Sequence, residues 1–178
     1  FGLMVIAPAH HRGIAAGILS WGQDLDHETS PFQVNLSYQV PRNKKSDYIG
    51  KEELERQRAI IDEGNAPFKM KMVGITLGGK EITNYAPDFW LVTDTDDKEV
   101  GYVTSPWWSP ELETNIALAW VPWEASEVGT KYKVKLPDEY SETPGVSVDA
   151  EIVDVPFRES VNPNKREVEA AKGLDFAE

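Results

Sequence analysis

Apolar and polar residues recur with two different rhythms along this chain, and the change falls near Ala66-Pro67. Before it, helical spacing is mixed with turns. Residues 2–6 are apolar and run to Pro8, a pattern that predicts a short strand. Ile14, Ile18 and Trp21 stand at helical spacing, which predicts one helix over residues 9–19. Gly13 and Gly17 inside it weaken the helix, and as small residues they let a backbone or a ligand come close. Residues 24–31 are polar and turn-rich. Phe32, Val34, Leu36, Tyr38 and Val40 then alternate with polar residues, which predicts a half-buried strand over residues 32–40. After a loop at 41–46, residues 50–62 carry the clearest helical pattern. Glu/Arg pairs lie on one side, Leu54, Ile60 and Ile61 on the other, and Gly64 stops it.

From Phe68 onward, short strands alternate with turns. They are predicted at 69–77, 89–92, 99–104, 115–121, 129–136 and 146–155. That spacing is the mark of an antiparallel barrel or sandwich. In residues 131–136, Tyr132, Val134 and Leu136 should face inward and the lysines outward. Residues 116–121 are apolar throughout and should form a central strand covered on both faces. The expected fold class is α+β, divided as residues 1–66, an antiparallel β-barrel at 67–157 and a charged tail at 158–178. Within the tail, 167–172 could form a short helix.

Composition trims the function classes. Apolar content of 40% and charged content of 27% are those of a soluble globular protein. Five of the six tryptophans follow position 89, so the aromatic-rich core is expected in the second half. A net charge of -12 with no basic patch argues against nucleic acid and against anionic membrane surfaces. No apolar run approaches a membrane span. The chain has no cysteine, which excludes disulfides, thiolate metal sites and a cysteine nucleophile, and fits a cytoplasmic location.

Candidate chemistry gathers in Gly17-Ile-Leu-Ser-Trp-Gly-Gln-Asp-Leu-Asp26, where an aromatic, an amide and two carboxylates follow an apolar segment. Gln23 and Asp24 can hydrogen-bond a polar ligand while the Trp21 indole stacks on it; the alternative is that Trp21 merely closes the helix. Trp107 and Trp108, between two prolines, are either an aromatic wall for a flat or cationic ligand or a barrel-corner bulge filling the core or a seam. No metal is expected. His10 and His11 are adjacent and point to different faces, and His27 with Asp24 or Asp26 reads as a solvated turn. Residues 94–97 lack the glycine and closing glutamate of a calcium loop and predict a hairpin turn. Ser105 and Ser109 have no histidine placed to activate them.

Four stretches in order carry a resemblance: residues 17–26, 30–36, 47–54 and 100–122. Together they are similar to the C-terminal half of the glycine-cleavage T-protein (aminomethyltransferase) family. The nearest branch holds dimethylsulfoniopropionate and aryl-methyl-ether demethylases. The resemblance spans about Arg12 to Phe157. It implies a tetrahydrofolate-dependent transfer of a methyl or aminomethyl carbon. Residues 1–66 would be a truncated piece of the folate-binding α/β core, followed by the family's C-terminal barrel. Partners implied are a small methyl or aminomethyl donor and an N-terminal half of the same protein holding the catalytic acid, so these 178 residues should be inactive alone. Gln33 and Asp24 would be cofactor-binding, and Trp21, Gln23, Trp107 and Trp108 substrate-binding. This chain has Ala15 where the family commonly has a pterin-contacting glutamate, Gln33 where it often has glutamate, and Asn35 where it often has glycine. A carboxylate can pair with the pterin N–H donors and a methyl cannot. A second reading follows: a binding or regulatory module that kept the fold without the chemistry. Iron–sulfur-assembly relatives rank last, because their cysteine motif is missing.

Overall fold

A computed structural model describes residues 10–42 and 44–157. The elements expected at 2–6 and 167–172, and the tail at 158–178, lie outside the described residues. Six strands, β1 (Met70–Leu77), β2 (Trp90–Thr93), β3 (Glu99–Ser109), β4 (Thr114–Pro122), β5 (Lys131–Val134) and β6 (Val148–Val153), close a barrel in the order β1-β4-β3-β2-β5-β6. Every pairing is antiparallel. Two helices precede it, α1 (His10–Ala15) and α2 (Lys51–Asp62). The class is α+β with a C-terminal barrel. Among the described residues no helix is long and apolar enough to cross a membrane.

The barrel wall is apolar on both sides over much of its height. On β4, Ala117, Ala119 and Val121 face the interior with Val73, Ile75, Val92, Val134 and Ile152. Its other face presents Ile116, Leu118 and Trp120, which pack with Met72 under Ile14, Ala15 and Val34. A continuous apolar run is what a strand buried on both faces requires. Tyr132, Val134 and Leu136 are buried as their alternation predicts, with Lys131 and Lys135 exposed. Residues 94–97 form the hairpin turn, closed by Asp94 N–H to Lys98 O at 3.0 Å.

Three expectations are corrected. Helix α1 ends at Ala15, well short of residue 19. Gly17 takes φ +68°, and the N–H groups of Gly17 and Ile18 return to the carbonyls of Ile14 and Gly13. This pair of bonds is a Schellman stop. The chain also needs glycine there for space, since a Cβ would lie 2.8 Å from the Val155 side chain. Ile14 is buried whereas Ile18 and Trp21 are exposed, so their helical spacing marks no common face.

The strand expected at 32–40 is a run of turns and a 3-10 turn at Ser37–Gln39. Phe32 and Val34 are buried as alternation demands, but Asn35 sits at φ +60° and breaks the extended run. Side chains replace the ladder. Met72 donates its N–H to Gln33 O at 2.8 Å, Gln33 Nε2 donates to Met70 O at 3.1 Å, and Asn35 Nδ2 to Met72 O at 2.9 Å. They cover the start of β1, where β6 has not yet begun to pair; that pairing starts at Gly74.

Strand β3 runs through Ser105-Pro106, where a turn was expected. The register slips between Val103 and Ser105, making Thr104 the extra residue of a β-bulge. Trp108 donates its N–H away from β4, to Ile82 O at 2.8 Å. By alternation the Pro106 nitrogen points the same way, so the β3–β4 ladder loses no donor.

Candidate functional site

The turn after α1 is fixed from beneath by one buried carboxylate. Asp24 is 2% exposed. Its Oδ2 accepts Ser20 N–H at 2.7 Å, which closes the turn on itself. Its Oδ1 accepts the hydroxyls of Thr104 and Ser105, both at 2.6 Å. The two hydroxyls come from successive residues, which an unbroken strand would point to opposite faces. The bulge at Thr104 is what lets both reach one oxygen. Trp120 Nε1 donates to the Asp24 carbonyl at 3.0 Å from the neighbouring strand. A buried carboxyl group is tolerated where hydrogen bonds replace its water, and here they do.

Gln23 completes the clamp. Its Nε2 donates to Thr104 O at 2.6 Å, and its Oε1 accepts the Tyr85 hydroxyl at 2.6 Å. Tyr85 in turn flanks His10, with ring centroids 5.7 Å apart, and His10 stacks on Trp107 at 5.2 Å and 22°. Above this base Trp21 stands out, 70% exposed and bridged to Leu25 across the turn. Asp26 lies at the far end. The Glu28 N–H and the Thr29 hydroxyl hold its carboxyl below the usual carboxylate range, so it is a fixed anion at neutral pH. Burial, reinforced by that anion, pushes the Tyr102 phenol up, and the Tyr102 ring stacks on Phe89 at 5.3 Å. The result is a rigid polar base under an aromatic surface, suited to orienting a small molecule rather than to attacking one.

Of the residues expected to form a site, Trp21, Gln23 and Trp107 belong to this surface. Asp24 lies under it and accepts hydrogen bonds from Ser20, Thr104 and Ser105, so it anchors the turn to the barrel. Gln33 is elsewhere, against Met70, its Oε1 taken by Ser30 N–H at 3.1 Å and its Nε2 by Met70 O. Trp108, paired with Asn115, points to the opposite face of β3 from Trp107, paired with Ile116. The two indoles therefore do not form one wall, and the bulge of this strand lies at Thr104. His10 and Tyr85 were not expected here. Neither stands in a motif, and Tyr85 lies 62 residues from its partner Gln23. Among the described residues no group of three or more His, Cys, Asp or Glu could hold a metal ion.

The pterin position can be tested against this geometry. Ala15 is 6% exposed within the apolar cluster on Trp120 and Leu118. With a buried methyl there, Gln33 bonded to Ser30 and Met70, and Asp24 bonded to Ser20, Thr104 and Ser105, the residues matching the expected folate contacts do not form a carboxylate clamp for a pterin.

Comparison with known proteins agrees with the barrel. The glycine cleavage T-protein C-terminal barrel domain matches residues 70–158. An aminomethyltransferase of Listeria welshimeri is 33% identical over 144 residues, covering 81% of this chain and 35% of that protein. One from Thermotoga neapolitana is also 33% identical, over 81% of this chain and 34% of its own length. One from Oceanobacillus iheyensis is 34% identical, over 68% of this chain and 30% of its own length. The chain thus spans about a third of the length of the curated relatives it matches. In fold it is similar to the crystal structure of glycine cleavage system aminomethyltransferase T from Bartonella henselae, with a TM-score of 0.65 and 21% identity over 84% of this chain and 38% of the other.

Proposed function

Since this chain belongs to the glycine cleavage T-protein family, whose C-terminal barrel it carries over residues 70–158, we propose that it forms the donor-side wall of a tetrahydrofolate-dependent one-carbon transferase. The observation that carries this is the clamped turn, in which Asp24 and Gln23 are spent on the barrel so that Trp21 is held outward. An ordered, exposed indole suits a methylated onium or an aryl methyl ether, through cation–π contact or stacking. That favours the demethylase branch over aminomethyl transfer. On this reading the acid near the donor carbon comes from the part of the relatives' length that this chain does not span, and the pterin is held without the carboxylate that Ala15 replaces.

Calorimetry tests the reading. A full-length protein containing these 178 residues should give heat with tetrahydrofolate at high micromolar concentration, and the 178 residues alone should give none. No heat from the folded full-length protein sinks the transferase; turnover by the 178 residues alone sinks the split site. In the full-length enzyme, Trp21→Ala should raise KM for the donor about tenfold and leave the melting temperature unchanged. A second reading, a binding or regulatory module, is favoured by Ala15 and Gln33, and absence of heat selects it.

A further inference from the structure

At the end of the barrel away from the loop after β1, a cavity of about 610 Å³ opens between residues 64–66, the 3-10 turn Trp123–Ala125 and residues 126–128. Its one lining cation is Lys71. Lys71 shares the inward register of Val73, Ile75 and Leu77 and pairs with Val121, so it stands at the barrel's mouth. The mouth of a β-barrel is a common place for a small-molecule site. The ammonium lies 5.2 Å from the centroid of the Trp123 ring, which backs against Phe68. Among the described residues the Lys71 ammonium makes no hydrogen bond and no ion pair. Its half-burial pushes its pKa down, because the desolvated charge has no counter-charge. The half-buried Trp123 indole N–H and the solvent-exposed Asn65 side-chain amide at the same cavity make no hydrogen bond among the described residues.

Every other strongly charged group here is acidic. Glu124 and Glu127 line the cavity and are exposed, and neither pairs with Lys71. One cation and two neutral donors can satisfy a single carboxylate. The two glutamates would repel an ion of higher charge, as like charges held close together do. We propose that this cavity is a binding site for a small monocarboxylate, with Lys71 as the charge partner, the Trp123 N–H and Asn65 as hydrogen-bond donors, and Glu124 and Glu127 excluding polyanions. Occupancy would tie the linker after α2 to the barrel, since Asn65 belongs to the linker and Lys71 to β1. The site shares no residue with the turn around Trp21, so the two readings stand or fall separately.

The test is a titration of acetate into the isotope-labelled chain, followed by the Trp123 indole and Asn65 side-chain amide signals in NMR spectra. Both should move saturably, with a Kd on the order of 1–10 mM. Lys71→Met, which keeps the stem over Trp123, should weaken binding at least about tenfold, and Lys71→Arg should retain it. Inorganic phosphate should bind the unaltered chain at least about tenfold more weakly than acetate, an arm that needs no variant to fold. Shifts that rise linearly without saturating, unchanged affinity in a folded Lys71→Met, or phosphate binding as tightly as acetate would each overturn the proposal.

Discussion

The barrel wall and the segment laid over it, residues 10–36, differ in burial and are held by different kinds of bond. In the wall, β1 and β4 pair in unbroken register from Met70 with Pro122 to Leu77 with Asn115. The overlay has one backbone bond to a strand of the wall, Met72 N–H to Gln33 O, and one to the segment after β6, Phe157 N–H to Ala15 O. Beyond these it depends on the side chains of Asp24, Gln23, Asn35, Gln33 and Trp120. A ladder spreads its stabilisation over many equivalent bonds. The overlay concentrates it on a few residues, so it should loosen locally while the wall persists.

Asp24→Ala should show the largest effect. It orphans the Ser105 hydroxyl and the Ser20 N–H, leaves the Thr104 hydroxyl only the Leu118 carbonyl at 3.3 Å, and should destabilise by about 3 kcal/mol in urea unfolding. Hydrogen exchange should speed up at residues 20–25 and stay slow in β1 and β4. Equal acceleration in both would break the contrast. Asp24→Asn keeps one acceptor and should lose about half as much. Gly101→Ala attacks the wall instead. Its Cβ would stand 2.0 Å from the Trp120 carbonyl oxygen, so the two strands must part, at about 2–3 kcal/mol. Here exchange should rise along the whole β3–β4 ladder. Gln33→Ala removes the amide that bridges Ser30 and Met70 and should destabilise by about 1 kcal/mol.

The smallest effect belongs to the surface of α2. Hydrogen bonds from Arg56 and then Gln57 lower the Glu53 carboxyl from 4.5 to about 2. A depressed acid stabilises the fold fully above its unfolded value and loses that contribution as pH falls through the folded one. Thermal melts of the unaltered chain should therefore fall away from those of Glu53→Gln between about pH 4.5 and pH 2. The pair is exposed, so added salt should shrink the difference. No difference across that window would show that the Glu53–Arg56–Gln57 group contributes nothing to stability.

The same contrast explains what the chain disclosed in advance. The barrel was legible because period-two alternation and turn residues are local signals, and residues 116–121 declared a two-faced strand by composition alone. Helix α2 was legible from its charge pairs and Gly64. The overlay was not. Phe32 and Val34 alternate as strand residues do, yet what holds them is Gln33 and Asn35 reaching β1, 37 residues away. Asp24 looked like a ligand contact because its partners, Thr104 and Ser105, lie 80 and 81 residues downstream. Polarity is readable from sequence, but the partner that consumes it is not. Trp21 and Gln23 stand together in the sequence because they share a short stretch, whereas His10 and Tyr85 join them only in the fold.

The bulge at Thr104 also bears on how such a surface could be gained or lost. Val103 pairs with Ala119 and Ser105 with Leu118, adjacent residues of β4, so Thr104 is a supernumerary step that the barrel's closure does not use. Deleting it would leave every other β3–β4 pair as it is and remove at once a hydroxyl from Asp24 and the carbonyl that Gln23 holds. A single-codon deletion would thus loosen the turn, leaving it to Ser105 and Trp120, and keep the pairing of the barrel. The grip on the displayed surface can therefore be set at one residue, apart from the pairing of the scaffold beneath it.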